Sequence, residues 1–176
     1  MLTNNIIYGA GILFYCKSID NTPYFFLGKD RDNKWSNFGG RSELSDRSDP
    51  ENTAARETWE ETLGVVGDIH EIKRLLKGSR CILSTTPSGH RYYMYVVKLP
   101  FTTLYKEKFG NTKRFLSNIP VDKKFLEILD VKLLSLETIQ YSADTENKRT
   151  FIKLRSIFEQ TFQHNYTEIL SIVKNK

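Results

Sequence analysis

The chain has 176 residues, of which 39% are hydrophobic and 12% aromatic, a composition that suits one globular domain and excludes an intrinsically disordered protein. Its formal net charge is +5, with a net −4 over residues 40–61 and a net +7 over residues 67–133. An acidic segment within a basic protein favours a metal-dependent enzyme acting on a polyanion, with an ordinary solvated basic surface as the alternative.

The first predicted element is a buried strand close to the N-terminus. Residues 6–16 form an uncharged apolar run that is too short to cross a bilayer and lacks the flanks of a signal peptide. Cys16 and Cys81 form no CxxC pair and no zinc-type cluster. We therefore expect reduced thiols in a cytoplasmic protein that does not bind a membrane.

Strands and helices are mixed along the rest of the chain, which indicates an α/β or α+β fold in one domain, residues 1–176. Strands are predicted at residues 8–15, 23–28, 69–76, 81–85, 91–99 and 130–134. The pattern gives residues 106–124 no clear assignment. A C-terminal helix is predicted from an apolar stripe at helical spacing, formed by Phe151, Leu154, Ile157, Phe158 and Phe162.

A helix is predicted from Pro50 to about Leu63. Asp49 and Pro50 are typical of the N-cap and first helical position, and Gly64 is a typical C-terminal stop. Ser48 with Glu51 would form an alternative capping box, shifted by one residue.

Three glutamates of this helix, Glu57, Glu60 and Glu61, are the most informative feature of the sequence. Their spacing of i, i+3 and i+4 places them on one face, where like charges repel by about 0.2–0.5 kcal/mol per pair. A divalent cation would reverse this repulsion, because hard cations bind carboxylate oxygens. We expect the glutamates to face outward, opposite the core residues Ala55, Trp59 and Thr62.

The segment from Gly39 to Val66 resembles the Nudix box. In that pattern a glycine and, six residues later, a glutamate precede the core Arg-Glu-apolar-x-Glu-Glu-x-Gly-apolar. The corresponding residues are Gly40, Asp46, Arg56, Glu57, Glu60, Glu61, Gly64 and Val65.

Four departures from the pattern concern its spacing and polarity. Asp46 replaces the first glutamate, and nine residues instead of seven separate it from Arg56. Thr58 stands at a usually apolar position, and Thr62-Leu63 stands where one residue precedes the glycine. We interpret the extra residues as a longer loop before the helix, which leaves the role of Asp46 open.

The resemblance, weaker outside the box, extends from Tyr8 to Phe162. It implies an α/β fold, a Nudix-type α/β/α sandwich with a mixed β-sheet and a C-terminal helix. It also implies a pyrophosphohydrolase that uses Mg2+ or Mn2+, with Arg56 orienting the glutamates by ion pairing. The implied metal ligands are Gly39, Gly40, Glu57, Glu60 and Glu61, and the general base would be a box glutamate, Glu61 before Glu57, or Glu127 of a later loop.

Five residues are candidates for substrate contact. Trp35 and Phe38 have aromatic rings that could stack on a base, and the arginines could contact phosphates, with core packing and surface cations as the alternative readings. The candidates are Arg31, Trp35, Phe38, Arg41 and Arg80.

The substrate is only partly indicated. No proline lies between Gly64 and Pro87, no tyrosine between Gly64 and Tyr92, and no NADH-type marker is present. By resemblance these absences disfavour the ADP-ribose, NADH and one dinucleoside polyphosphate subfamily. The long loop is similar to Nudix proteins of eukaryotes and their large DNA viruses.

We therefore expect a polyanionic, nucleoside diphosphate-linked substrate, with capped RNA or a dinucleoside polyphosphate among the candidates. The alternatives are a diphosphoinositol polyphosphate hydrolase, a catalytically inactive Nudix-like module that binds a nucleotide or RNA, and a plain RNA-binding protein.

Overall fold

The computed structural model describes residues 8–86, 88–143 and 152–175, which form one mixed sheet between two layers of helices. The strands are β1 (Gly9–Lys17), β2 (Pro23–Lys29), β3 (Lys34–Ser36), β4 (Phe38–Arg41), β5 (Arg80–Thr85), β6 (Arg91–Lys98), β7 (Asp130–Ser135) and β8 (Lys153–Leu154). The α-helices are α1 (Pro50–Thr62), α2 (Ile69–Leu76), α3 (Leu104–Leu116), α4 (Leu136–Ala143), α5 (Ser156–His164) and α6 (Tyr166–Asn175).

The sheet divides into two halves at β1. Residues 9–12 of β1 pair with β4, and residues 14–17 pair with β2. One half contains β5, β6, β1 and β4, and the other contains β7, β2, β3 and β8. The β1–β6 and β3–β8 pairs are parallel and the rest are antiparallel, so the sheet is mixed. The short β3–β4 connection crosses from one half to the other.

Alternation along β1 builds a core on each side of the sheet, because successive strand side chains point to opposite faces. Leu13 and Tyr15 pack with residues of α4, α5 and α6, whereas Ile12 and Phe14 pack with residues of α1, α2 and α3. The expected α/β/α sandwich with a mixed sheet and a C-terminal helix is therefore confirmed.

The strand predicted at residues 69–76 is wrong, because this segment is helix α2. Asp68 and Glu71 form a capping box, in which the Asp68 side chain accepts from the Glu71 N–H and the Glu71 side chain accepts from the Asp68 N–H. Ile72 and Leu76 are one helical turn apart and both are buried against the sheet. The apolar residues thus follow the helical period of 3.6 rather than the strand period of 2.

Two C-terminal helices replace the single helix expected from the apolar stripe. Ile157, Phe158 and Phe162 lie on α5, Leu154 lies in β8, and Phe151 lies outside the described residues. Most of α3 lies in the unassigned segment, residues 106–124, and a short 3₁₀ turn at Lys123–Leu126 begins at the end of that segment. None of the described helices is long and apolar enough to cross a membrane.

Candidate active site

Helix α1 begins and ends where its sequence predicts. The Asp49 carboxylate accepts the Glu51 N–H at 2.9 Å, and Pro50 occupies the first helical turn. Asp49, rather than Ser48, is therefore the N-cap. At the C-terminus, Leu63 and Gly64 both have positive φ, 56° and 71°, which ends the helix.

The glutamate cluster, defined as Glu57, Glu60 and Glu61, does not face solvent as expected. Glu60 and Glu61 are only 4% and 7% exposed. Strand β4 and the 3₁₀ turn at Lys123–Leu126 both pack on α1, and the turn contributes a ring contact between Phe125 and Trp59 at 5.3 Å. Trp59 is half-buried on that side, so the predicted orientation of the helix is wrong for the glutamates.

Arg56 organises the polar side of α1. Its Nε and Nη2 donate to the two carboxylate oxygens of Asp46 at 3.0 and 2.9 Å, a bidentate pair. Its Nη1 lies 2.9 Å from Glu57 Oε1 and 3.4 Å from Glu60 Oε2. Arg56 thus fixes two members of the glutamate cluster and is itself fixed by Asp46.

The role of Asp46, open from the sequence, is therefore to anchor Arg56. The extra loop residues are accommodated by a 3₁₀ turn, Leu44–Asp46, which is followed by Arg47 in the left-handed conformation. Asp46 is 3% exposed and also accepts from the Thr53 hydroxyl and the Glu43 N–H. Burial alone raises the pKa of Asp46, but the hydrogen bonds from Arg56, Glu43 and Thr53 outweigh it and lower the pKa below its usual value.

Desolvation dominates the electrostatics of Glu57 and Glu61. Burial raises the pKa of Glu57 to about 7, against the lowering effect of Arg56. Burial also raises the pKa of Glu61 well above its usual value, although the Gly39 N–H and Arg155 act in the opposite direction. Both carboxylates are therefore short of positive charge in the protein alone.

Gly39 and Gly40 bring the backbone of β4 against these carboxylates. The Gly39 N–H donates to Glu61 Oε2 at 2.7 Å. A Cβ atom placed on Gly40 would lie 2.5 Å from the Glu57 carboxylate, so no larger residue fits without displacing Glu57. The close approach of β4 to α1 therefore depends on glycine at this position.

Lys124 is a member of the site that the sequence analysis missed. Its Nζ lies 2.6 Å from Glu60 Oε1, and 64 residues separate the two along the chain. No local pattern signals this contact, because it depends on how the 3₁₀ turn after α3 docks on α1.

The residues present fit a divalent cation. The glutamate cluster and Asp46 supply four buried or nearly buried carboxyl groups, whereas Arg56 and Lys124 supply two cations, so the acidic groups outnumber the cations by two. The four acidic side chains offer carboxylate oxygens, the hard ligands that Mg2+ and Mn2+ prefer. Within the described ranges, no three acidic, histidine or cysteine side chains are already arranged around a common point. Arg56 and Lys124 each contact one carboxylate oxygen of Glu60, one of the residues that would hold such an ion.

Glu127, the candidate from a later loop, lies near the cluster without contacting it. Its charge raises the pKa of both Glu57 and Glu61, and its own side chain is exposed. It follows the 3₁₀ turn that carries Lys124, so the same element positions both residues.

A cavity of about 320 Å³ is lined by Gly39 and Gly40 of β4 and by residues from both halves of the sheet. We call it the arginine cavity, because Arg41 and Arg155 both line it. Its other lining residues come from both halves of the sheet and from the β5–β6 loop: Tyr8, Gly9, Ser36, Gly39, Gly40, Thr86, Ser88, His90, Tyr92 and Ile157.

Of the five predicted substrate contacts, only Arg41 lines this cavity. Phe38 is fully buried between Phe14 and Phe26, and Trp35 is 7% exposed, so neither ring is open for stacking on a base in this structure. Arg31 and Arg80 are exposed but do not line the cavity. On β5, Arg80 lies four residues, about 13 Å, from the position paired with Tyr92. The expectation for Trp35 and Phe38 is therefore corrected, since both are core residues.

Two contributors to the cavity, Arg155 and Tyr92, were not predicted. Arg155 precedes α5, where its N–H donates to the Trp35 carbonyl at 2.9 Å. The Tyr92 hydroxyl accepts from the Asn37 side chain at 2.8 Å. The sequence gives no signal for Arg155, because its position depends on the pairing of β8 with β3, two segments that are distant in sequence.

No protein-family model matches the chain, and no curated protein matches it by sequence. Solved structures are similar over almost its full length. An Ap4A hydrolase of C. elegans in a binary complex aligns with 93% of this chain and 98% of its own, at 14% identity and a TM-score of 0.51. The NUDIX domain of Shewanella oneidensis NrtR, complexed with ADP ribose, aligns with 92% of this chain and 87% of its own, at 10% identity and a TM-score of 0.51. At these identities the likeness establishes the fold.

Proposed function

We propose that this protein, which has the Nudix fold, is a metal-dependent pyrophosphohydrolase of a nucleoside diphosphate-linked substrate. The observation that carries the proposal is the glutamate cluster, Glu57, Glu60 and Glu61. Its carboxyl groups are desolvated and held beside the Gly39–Gly40 backbone, and together with Asp46 they outnumber the cations Arg56 and Lys124 by two. Such an arrangement is costly without a cation, and it suits Mg2+ or Mn2+.

The chain's own residues divide the work. The glutamate cluster would hold the metal, and Arg56 would keep Glu57 and Glu60 in place, itself fixed by Asp46. When bound, a divalent cation neutralises charge that develops on phosphoryl oxygens and lowers the pKa of water.

Glu61 is our first candidate for the general base. Gly39 fixes one of its carboxylate oxygens, and burial raises its pKa, as suits a group that must accept a proton. Glu57 and Glu127 are the alternative bases. They rank below Glu61 because their carboxyl groups are less buried, and that of Glu127 is exposed.

The test is hydrolysis of a panel that contains capped RNA, dinucleoside polyphosphates, nucleotide sugars and a diphosphoinositol polyphosphate. We expect turnover of at least one of them with Mg2+ or Mn2+ and none with EDTA. Glu61→Gln and Glu57→Gln should each lower kcat/KM by at least about 100-fold. Glu51→Gln is the matched control, because Glu51 lies exposed in the first turn of the same helix. Unchanged turnover in both Gln variants would refute the assignment of the cluster.

One observation favours a second candidate, an inactive module that binds a nucleotide or RNA. Arg56 and Lys124 already neutralise both oxygens of Glu60, as they would in a protein that needs no metal. Binding of a nucleotide in EDTA, without hydrolysis of any member of the panel when metal is added, would support this candidate over the hydrolase.

A further inference from the structure

The arginine cavity carries positive charge that the protein leaves largely uncompensated. Among the described residues, the Arg41 side chain makes no ion pair. The backbone carbonyl of Arg41 accepts a hydrogen bond from Arg56. Arg155 has one distant partner, Asp30, with Nε 4.0 Å from the carboxylate and half of the side chain exposed. Both arginines line the cavity, and a guanidinium group is well suited to bind an anion.

The cavity and the glutamate cluster both adjoin the Gly39–Gly40 backbone. Gly39 lines the cavity and donates its N–H to Glu61, and Gly40 lines the cavity and contacts Glu57. A ligand group in the cavity therefore lies next to the cluster rather than at a separate site.

The ligand chemistry follows from the lining. Guanidinium groups bind phosphate through paired N–H donors, and the other lining residues include Thr86 and Ser88, whose hydroxyls hydrogen-bond to each other at 2.9 Å, and His90. The volume of about 320 Å³ is at the small end of ligand cavities, which span roughly 300–1,000 Å³. It suits a phosphate with part of its attached group. The buried rings of Trp35 and Phe38 offer no surface for a base.

We infer that the arginine cavity binds a phosphate of the substrate other than the two that form the cleaved diphosphate. The inference rests on the proposed function and narrows it: the preferred substrate carries at least three phosphates. Dinucleoside polyphosphates, capped RNA and diphosphoinositol polyphosphates meet this condition. ADP-ribose and nucleotide sugars do not, because their only phosphates are those of the diphosphate itself.

The first test measures binding without metal or turnover. Isothermal titration of the full chain with inorganic tripolyphosphate in EDTA should give saturable binding, which Arg155→Ala weakens by about tenfold to 100-fold, as expected for loss of a charge-assisted hydrogen bond. Lys153→Ala is the matched control, because it removes one exposed cation two residues away that does not line the cavity. Equal weakening of tripolyphosphate binding by both variants would show a general charge effect and would refute phosphate binding in the arginine cavity.

The second test separates the cavity from the catalytic proposal. Arg155→Ala should lower kcat/KM for Ap4A by about tenfold to 100-fold more than it lowers kcat/KM for ADP-ribose. Equal losses on the two substrates would overturn the inference while leaving the hydrolase proposal intact. Absence of turnover, with tripolyphosphate binding that still requires Arg155, would refute the hydrolase proposal and support the cavity as an anion site.

Discussion

Asp46 and Arg56 illustrate how a single buried pair sets the geometry of the glutamate cluster. The guanidinium spans from Asp46 on one side to Glu57 and Glu60 on the other, so its orientation depends on the bidentate contact with Asp46. Asp46 is the last residue of the 3₁₀ turn Leu44–Asp46, and both of its carboxylate oxygens accept hydrogen bonds from Arg56.

We predict that Asp46→Asn lowers the free energy of unfolding by about 1–3 kcal/mol, because Arg56 loses a buried charged acceptor. Asp49→Asn is the control, since Asn caps a helix as well as Asp does and the same chemical change should cost little. Urea denaturation at pH 7 measures both. A loss in Asp46→Asn no larger than in Asp49→Asn would contradict the anchoring role.

The same pair predicts a pH dependence. The pKa of Asp46 is lowered in the folded protein, so its contribution to stability is complete above the unfolded pKa of about 3.9. That contribution disappears as the pH falls through the lower, folded pKa. The stability difference between the wild-type chain and Asp46→Asn should therefore be constant near neutral pH and shrink below about pH 4. A difference that grows in acid would have the wrong sign.

Lys124 would compete with any metal cation for Glu60, because its Nζ forms an ion pair with Glu60 Oε1 at 2.6 Å. We predict that Lys124→Met tightens Mn2+ binding by about two- to fivefold, the range expected for a partly exposed ion pair. Electron paramagnetic resonance of free Mn2+ measures the change without reference to activity. Lys123→Met, which removes the neighbouring exposed cation, should have a smaller effect. Weaker Mn2+ binding in Lys124→Met would show that Lys124 supports the site rather than competes for it.

At the scale of elements, β4 and α1 pack closely only because Gly40 has no side chain. We predict that Gly40→Ala displaces Glu57 and lowers kcat/KM for the preferred substrate by about 100-fold, since small displacements of catalytic groups are costly. Gly110→Ala is the control. No atom lies within 4 Å of its added Cβ, and alanine should stabilise α3 by about 0.5–1 kcal/mol. Full activity in Gly40→Ala would contradict the claim that the position of Glu57 depends on glycine at residue 40.

The elements also show what the sequence can predict. Helix α1 was predicted to within a residue, because Asp49, Pro50 and Gly64 are local signals whose effect does not depend on the rest of the fold. Helix α2 was mistaken for a strand because a short apolar run was read without its capping box at Asp68. The burial of the glutamates could not be read from α1 alone.

The site residues likewise divide into those with a local sequence signal and those brought in by the rest of the fold. Glu57, Glu60 and Glu61 were found from their spacing within one helix. Lys124 and Arg155 were missed, because they approach through docking of the turn at Lys123–Leu126 and pairing of β8 with β3. Trp35 and Phe38 were overvalued because sequence does not distinguish an aromatic residue in a cavity wall from one in the core.

At the scale of the whole molecule, the division of the sheet places the two charged regions side by side. The glutamate cluster lies on the α1 side of β4, and the arginine cavity is lined by residues from both halves of the sheet, so negative and positive regions share the Gly39–Gly40 backbone. A cation at the glutamate cluster would neutralise the negative region, and a substrate phosphate at the arginines would neutralise the positive one. The overall charge of +5 adds a general attraction for polyanions.

A cation that binds only the folded chain must also stabilise the whole molecule, and this gives the last prediction. Mn2+ at 100 times its Kd should add about 2.7 kcal/mol to the free energy of unfolding. For a chain of 176 residues this raises Tm by roughly 5–10 °C relative to EDTA. In Glu61→Gln the increase should be lost, while the metal-free variant should be at least as stable as the wild type, because a desolvated carboxylate is replaced by a neutral amide that can still accept the Gly39 N–H. Glu51→Gln should keep the full increase. Scanning calorimetry in EDTA and in Mn2+ measures all three chains, and an equal increase in Glu61→Gln would place the cation away from the glutamate cluster.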